Sequence, residues 1–131
     1  MSLRSRIRTA RYNDPASPED GFRLLVCRYR PRGIAKASEP WDAWWPELAP
    51  SRELHAARYG KTGEPLDWES FRARYLDEMR AQSWRIEGLA RNVVDGQTVT
   101  LLCASSCADP ARCHRSLLKN LITEAAQKLR G

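Results

Sequence analysis

The sequence contains no apolar run that approaches the roughly 18 to 20 residues needed to span a bilayer. It also lacks internal repeats, low-complexity segments and any linker long enough to divide the chain. Residues 1–11 carry arginines but no apolar segment, so the sequence does not predict a secretory signal there. These absences favour one cytoplasmic domain over residues 1–131, with no membrane partner.

Lysine is scarce, because the 22 basic residues comprise 18 arginines and only four lysines. A GC-rich genome explains such a ratio as readily as selection does, but it does not explain where the arginines lie. Eight of them fall in residues 1–33, against three acidic residues there, which places five of the six excess positive charges in the first quarter of the chain. Arginine presents a planar fork that grips phosphate or carboxylate at two points, so the clustering favours an anionic ligand.

Cysteine is limited to four residues, at positions 27, 103, 107 and 113. In a cytoplasmic protein these thiols should be reduced. We therefore interpret them as core residues, metal ligands or reactive thiols before disulfides.

Two apolar segments predict buried strands, over residues 22–29 and 98–104. Residues 2–9 alternate arginine with smaller residues and predict a short edge strand. Helices are expected after the caps Ser51 and Asp67, over residues 83–92, and from Asp109-Pro110 onward. Strands separated by helices indicate a small single-domain α/β fold, with a mostly parallel sheet and helices packed on it.

Ligands of parallel sheets bind beyond the carboxyl ends of the strands. Cys27 and Cys103 both lie near such an end, so the arginines after Cys27 should meet the loop after Cys103. That loop leads into a helix N-terminus, which favours an anion. The predicted ligand-binding residues are Arg28, Arg32, Cys103, Ser105, Ser106 and Arg112, with Arg30 extending the arginine stripe.

A thiol enzyme is the first alternative, with Cys113, His114 and Arg115 as candidate catalytic residues. Placed in the first turn of the last helix, Cys113 would have a lowered thiol pKa. Cys107 is a second candidate nucleophile, since Cys107 and Arg112 match the Cys-x4-Arg spacing of rhodanese-like loops. The intervening residues lack the glycine that lets such a loop curl round an anion.

A zinc-stabilised interaction module is the second alternative, with Cys103, Cys107, Cys113 and His114 as ligands. The spacing lacks a tight Cys-x2-Cys knuckle, so the primary prediction includes no metal and no cofactor. Elsewhere, Trp41, Trp44 and Trp45 lie three and four residues apart, which predicts one helical face packed in the core. His55 is expected on a solvated helix surface.

The whole chain resembles a prokaryotic family, domain of unknown function 488. The likeness is carried by residues 12–15, 21–26, Arg28, 31–33, 41–54, Trp68, Phe71, Tyr75, 100–103 and 113–115. It implies an α/β fold and supports Cys113, His114 and Arg115 as a site. The sequence departs from the family where Cys27 replaces an acidic residue and where Ser105 or Ser106 replaces another after the last strand.

The leading prediction is therefore the binding or processing of a phosphate-bearing ligand, either a nucleotide or a nucleic acid. The sequence does not determine whether the chain is an enzyme or what its oligomeric state is.

Overall fold

The computed structural model describes residues 2–131 and contains one four-stranded sheet with four α-helices. The strands are β1 (Ile7–Arg11), β2 (Phe22–Leu25), β3 (Ala43–Trp44) and β4 (Val99–Cys103). The helices are α1 (Arg52–Arg58), α2 (Trp68–Met79), α3 (Ser83–Val94) and α4 (His114–Arg130). Within the described residues, no helix combines the length and the apolar character needed to cross a membrane.

The sheet is parallel throughout, in the order β1-β4-β2-β3, which confirms the predicted α/β class. The central strand β4 is buried at all five positions, as its β-branched and apolar residues predict. Its register pairs Arg11 with Cys103 on one side and Leu25 with Leu102 on the other. The carboxyl ends of three strands therefore lie together at one edge.

Side-chain alternation divides the apolar residues between the two faces of the sheet. Leu24, Val26 and Leu101 face the larger core, to which all four helices contribute. Leu25 and Leu102 face a smaller cluster that includes Cys27, Trp41, Cys103 and Cys113. A period of two along each strand produces this division as far as Leu102. Cys103 has the parity of Leu101, but at the end of β4 it belongs to the smaller cluster.

A glycine fixes the entry to β2. Gly21 has a φ of 62°, and a Cβ atom built there would lie 2.2 Å from the backbone oxygen of Thr98. The N–H of Phe22 donates to that same oxygen at 2.9 Å. Close approach of the two chains at this point sets the register between β2 and β4.

The last helix begins later than the sequence predicts. Asp109 accepts a hydrogen bond from the N–H of Ala111 and caps only a short 3₁₀ turn, Pro110–Arg112. Cys113 is extended, with φ −129° and ψ 141°, and it stands at the N-cap position of α4 instead of in its first turn. The Cys113 side chain is buried in the smaller cluster at this break.

The three tryptophans do not share a helical face, because residues 43–44 form the edge strand β3. Trp41 is buried, as the core-packing interpretation expects, and Trp45 packs against Phe22 with ring centroids 6.3 Å apart. Trp44 is 37 % exposed, and its indole N–H donates to the Cys27 carbonyl at 2.8 Å. Backbone pairing with β2 at this edge overrides the helical spacing.

Asp20 forms a buried ion pair with Arg23 beside the first residues of β2. Burial raises the pKa of Asp20, but the Ser17 N–H and the Arg23 guanidinium outweigh this effect and leave the pKa lowered. A lowered folded-state pKa stabilises the fold above about pH 4, and the contribution is lost as the pH falls through the folded-state value.

We expect Asp20→Asn to lower the free energy of unfolding by about 2 kcal/mol at pH 7, since a charged hydrogen bond to Arg23 is lost. The difference from wild type should shrink in urea unfolding curves recorded at falling pH below about 4. Asp77→Asn is the control, because it also removes an ion pair, 3.6 Å from Arg80, but both side chains of that pair are exposed to solvent. A loss at Asp20 that stays constant down to pH 2 would contradict the role of its charge.

Candidate functional site

A pocket of about 300 Å³ opens at the carboxyl ends of β2 and β4. Cys103 is the last residue of β4, and Cys27 follows the end of β2 by two residues. Helix α1 and the N-terminus of α4 border the same opening. The parallel arrangement therefore brings the two sequence-distant segments together at one crevice, as the strand-end rule predicts.

Arginine dominates the charged lining of this pocket. No carboxylate lies among the lining residues in the described chain, 2–131. The five lining arginines are Arg28, Arg30, Arg32, Arg58 and Arg112. The opening therefore carries a net positive charge, which favours anions.

Backbone carbonyls hold two of these arginines in place. The Nε of Arg28 donates to the Pro50 carbonyl at 2.8 Å. Nη1 of Arg58 donates to the Leu66 carbonyl at 2.7 Å. Neutral carbonyl partners orient these guanidinium groups without cancelling their charge.

Arg30 is neutralised, whereas two other arginines are not. Its Nη2 lies 2.8 Å from the carboxylate of Glu39, and the guanidinium stacks over Trp41 at 5.5 Å. Arg32 and Arg112 are exposed, and neither has an ion-pair partner within the part of the chain that the structure describes. The available cationic groups of the pocket are thus Arg28, Arg32, Arg58 and Arg112.

An aromatic group flanks the arginines. His55 lies between Tyr29 and Tyr59, with ring centroids 5.2 Å and 4.7 Å away. Both tyrosines are half exposed, at 50 % and 51 %. The expectation that His55 is a solvated surface residue is wrong, since it is half-buried and lines the pocket.

The ionisation of this aromatic group follows from its surroundings. Burial, followed by the charge of Lys61, lowers the pKa of His55, so the imidazole is neutral at pH 7. Burial and the charge of Cys107 raise the pKa of Tyr59 to about 12. Neither ring adds formal charge to the pocket.

Three thiols meet at the base of the pocket. The Sγ atom of Cys103 lies 3.2 Å from that of Cys107 and 3.3 Å from that of Cys113. All four cysteines of the chain, Cys27 included, are free. Cys103 and Cys113 are buried, whereas Cys107 is half-buried on the loop after β4.

Hydrogen bonding within this thiol cluster favours one thiolate position. Donation from Cys103 and Cys113 lowers the pKa of Cys107, and burial opposes that effect. The pKa values of Cys103 and Cys113 are raised, for each mainly by its thiol hydrogen bonds. The direction of these shifts favours Cys107 as the thiolate, whereas the sequence-based argument from the helix N-terminus expects a lowered pKa at Cys113.

His114 is the polar anchor of the cluster. Its Nε2 lies 2.7 Å from the carbonyl oxygen of Val26, which can only accept, so Nε2 carries the proton. The unprotonated Nδ1 then lies 4.0 Å from the Sγ of Cys103. Burial lowers the pKa of His114, which keeps the ring neutral.

Three residues predicted at the site lie outside the pocket lining. Ser105 is exposed, and its carbonyl accepts from Arg11 at 3.4 Å. Ser106 lines an adjoining opening with Arg112 and the capping carboxylate Asp109. Arg115 is buried, and its Nε and Nη1 atoms have no hydrogen-bond partner within residues 2–131.

Sequence reasoning did not find the contribution of α1 and its flanking turn. Arg58 and Tyr59 reach the pocket because α1 packs beside the strand ends. Arg58 and Tyr59 follow His55 by three and four residues, so the sequence pattern alone predicts that the three side chains lie on one side of a short helix. Nothing in that local pattern connects them to residues 103–114.

Comparison with known proteins identifies relatives along most of the chain. The uncharacterized protein YeaO of Escherichia coli is 40 % identical over 96 residues, which cover 73 % of this chain and 80 % of the relative. The uncharacterized protein Rv3073c of Mycobacterium tuberculosis is 31 % identical over 122 residues, covering 93 % and 98 % of the two chains. The protein Mb3100c of Mycobacterium bovis matches to the same extent.

No solved structure matches the chain significantly. The family model DUF488-N3a, described as the active DUF488-N3 subclade, matches residues 7–126. That range includes all four strands, the pocket and most of α4. The chain therefore belongs to the DUF488-N3a family, in agreement with the resemblance read from its sequence.

Proposed function

We propose that this protein binds a small phosphate-bearing ligand of the nucleotide class in the pocket at the strand ends. The observation that carries the proposal is the lining itself, which holds five arginines and no carboxylate in the described chain. A cluster of like charges around a concave surface is unfavourable unless an anion balances it. Phosphate meets that need and matches the fork of a guanidinium group.

The arrangement of the arginines supports a fixed binding mode. Arg28 and Arg58 are oriented by backbone carbonyls before any ligand arrives. Arg32 and Arg112 are exposed and form no ion pair within residues 2–131. The two preorganised guanidinium groups lose little conformational entropy when a phosphate binds, and the two exposed ones can adjust to its position.

The aromatic group distinguishes a nucleotide from inorganic phosphate. Tyr29 and Tyr59 expose about half of their surface beside the cationic side chains. Stacking of a base on such a ring contributes about 1 to 3 kcal/mol. A volume of about 300 Å³ suits a mononucleotide or the end of a single strand, and it is too small for a duplex.

Thiol chemistry is the second candidate, and the geometry restricts it to one residue. Cys113 is 3 % exposed, whereas Cys107 is half-buried and lines both the pocket and the adjoining opening. Arg112 lines the same two openings. A nucleophile in this protein would therefore be Cys107, with Arg112 available to hold an anionic substrate group.

Calorimetric titration tests the binding proposal. The probes are the four ribonucleoside monophosphates, inorganic phosphate and a short single-stranded oligonucleotide. We expect at least one monophosphate to bind more tightly than inorganic phosphate, and the variant R32A/R112A to bind it about 100-fold more weakly, since each lost contact costs about 1.5 kcal/mol.

The matched control is R72A/R91A, which removes two exposed arginines that do not line the pocket. Its affinity should stay within about twofold of wild type, because only the net charge changes. No binding of any monophosphate or oligonucleotide by wild type would overturn the proposal. An equal loss in both double variants would reduce it to nonspecific attraction.

A further inference from the structure

The base of the pocket holds four soft donor atoms on three neighbouring segments. Cys103 ends β4, Cys107 lies on the loop that follows, and Cys113 with His114 begins α4. The donor atoms of Cys103, Cys113 and His114 all lie within 4.8 Å of one another. Cys107 does not belong to that group of three, but its Sγ atom lies 3.2 Å from that of Cys103 and adds a third thiol. Three thiols and one imidazole match the ligand sets of tetrahedral zinc sites.

We propose that Cys103, Cys107, Cys113 and the Nδ1 atom of His114 bind one zinc ion that fixes the loop after β4. The proposal does not depend on the identity of the ligand above it, since the nucleotide would contact arginine and aromatic side chains. It assigns the thiols a structural task, and it competes directly with Cys107 as a nucleophile.

The orientation of His114 is the strongest support. Metal-binding histidines commonly donate their second ring N–H to a backbone carbonyl, which fixes the tautomer and directs the other nitrogen to the metal. Here Nε2 donates to the Val26 carbonyl at 2.7 Å, and Nδ1 faces Cys103. The ring is therefore held in the state that a metal requires, by the backbone carbonyl of the residue that follows β2.

The sulfur spacing is compatible with a common metal after a small adjustment. Zn–S bonds of about 2.3 Å place tetrahedral sulfur atoms about 3.8 Å apart. The observed separations of 3.2 and 3.3 Å require the thiols to move apart by about half an ångström. Cys107 can supply the movement away from Cys103, because it is half-buried on a loop. The Cys103–Cys113 separation has to widen at Cys113, the extended N-cap residue of α4.

Donor softness selects the metal. Thiolate and imidazole ligands favour zinc over calcium or magnesium, which prefer oxygen ligands. A centre of three thiolates, one neutral imidazole and Zn²⁺ carries a single negative charge.

Metal analysis of the 131-residue chain tests the assignment. The chain is purified without chelators, and zinc is measured by plasma emission spectroscopy against protein concentration. We expect about one zinc per chain. After exchange, Co²⁺ should give the intense thiolate charge-transfer absorption and the visible bands of a tetrahedral site.

Variants identify the ligands. Cys103→Ser and Cys113→Ser should lose stoichiometric zinc, and Cys107→Ser should keep a site with at least tenfold weaker affinity and a reduced charge-transfer band. Cys27→Ser is the matched control, since Cys27 lies in the same apolar cluster but outside the proposed ligand set. It should retain zinc and the cobalt spectrum of wild type. Because Cys107 is on a loop, its variant tests the proposal even if the buried cysteine variants do not fold.

Alkylation gives an independent result. With zinc bound, the three thiols should react with iodoacetamide only after a strong chelator is added. Less than about 0.2 zinc per chain after reconstitution with excess Zn²⁺ would overturn the proposal. A disulfide among these cysteines in freshly purified protein, or rapid alkylation of Cys107 in protein that takes up no zinc, would also overturn it, and the last result would favour the thiol enzyme.

Discussion

Tyr75→Ala should lower the free energy of unfolding by about 4 kcal/mol, the largest effect we expect from a single truncation. Tyr75 is fully buried on α2, and its hydroxyl donates to the Leu48 carbonyl at 2.8 Å. Its ring stacks near Phe71 and lies 5.5 Å from that of His114. Truncation therefore leaves a cavity and removes support from the imidazole that borders the pocket.

Tyr75→Phe separates packing from hydrogen bonding. The ring remains, and only the Leu48 carbonyl loses its partner, which should cost about 1 to 2 kcal/mol. Both variants are measured by urea unfolding followed by circular dichroism at pH 7. Equal losses in the two variants would show that the hydroxyl, not the ring volume, carries the stability.

Gly21→Ala should destabilise the protein by about 3 kcal/mol or more, although it adds a single methyl group. The φ of 62° is one that side chains other than glycine rarely adopt, and the new Cβ would lie 2.2 Å from the Thr98 backbone oxygen. Relief of that overlap requires β2 and β4 to separate at their first paired residues, Phe22 and Val99.

Gly33→Ala is the control for the backbone conformation alone. Gly33 also has a positive φ, of 76°, but no atom lies within 4 Å of a Cβ built there. It should cost only about 1 kcal/mol in the same thermal or urea unfolding experiment. If both glycine variants lose equal stability, steric contact with Thr98 contributes nothing.

The central strands were predictable because their apolar runs are local signals, and their parallel relation was predictable from the order of elements along the chain. The apolar runs at residues 22–29 and 98–104 contain β2 and β4, and the intervening helices require a parallel crossover. Asp67 caps α2 as expected, by accepting from the Ser70 N–H. Strand β3 was not predictable, since two residues carry no period and their pairing depends on β2.

The candidate site was predictable where it follows from strand ends. Arg28, Arg32, Cys103, Arg112 and Cys113 lie around one pocket, as the parallel topology implies. The break at Cys113 was not predictable, because Asp109 and Pro110 are typical of a helix N-terminus. In the structure they begin only the short 3₁₀ turn Pro110–Arg112. Burial of Arg115 also contradicts the average behaviour of arginine, so composition offered no guide to it.

The β3 edge of the sheet affects how the protein aggregates at high concentration. Strand β3 has two residues, and Pro40 and Pro46 stand on either side of it. Proline has no backbone N–H to offer, and so short a strand leaves little template for a neighbouring molecule to extend the sheet. Intermolecular strand addition at this edge is therefore disfavoured, and the chain is protected there against the growth of fibrillar aggregates.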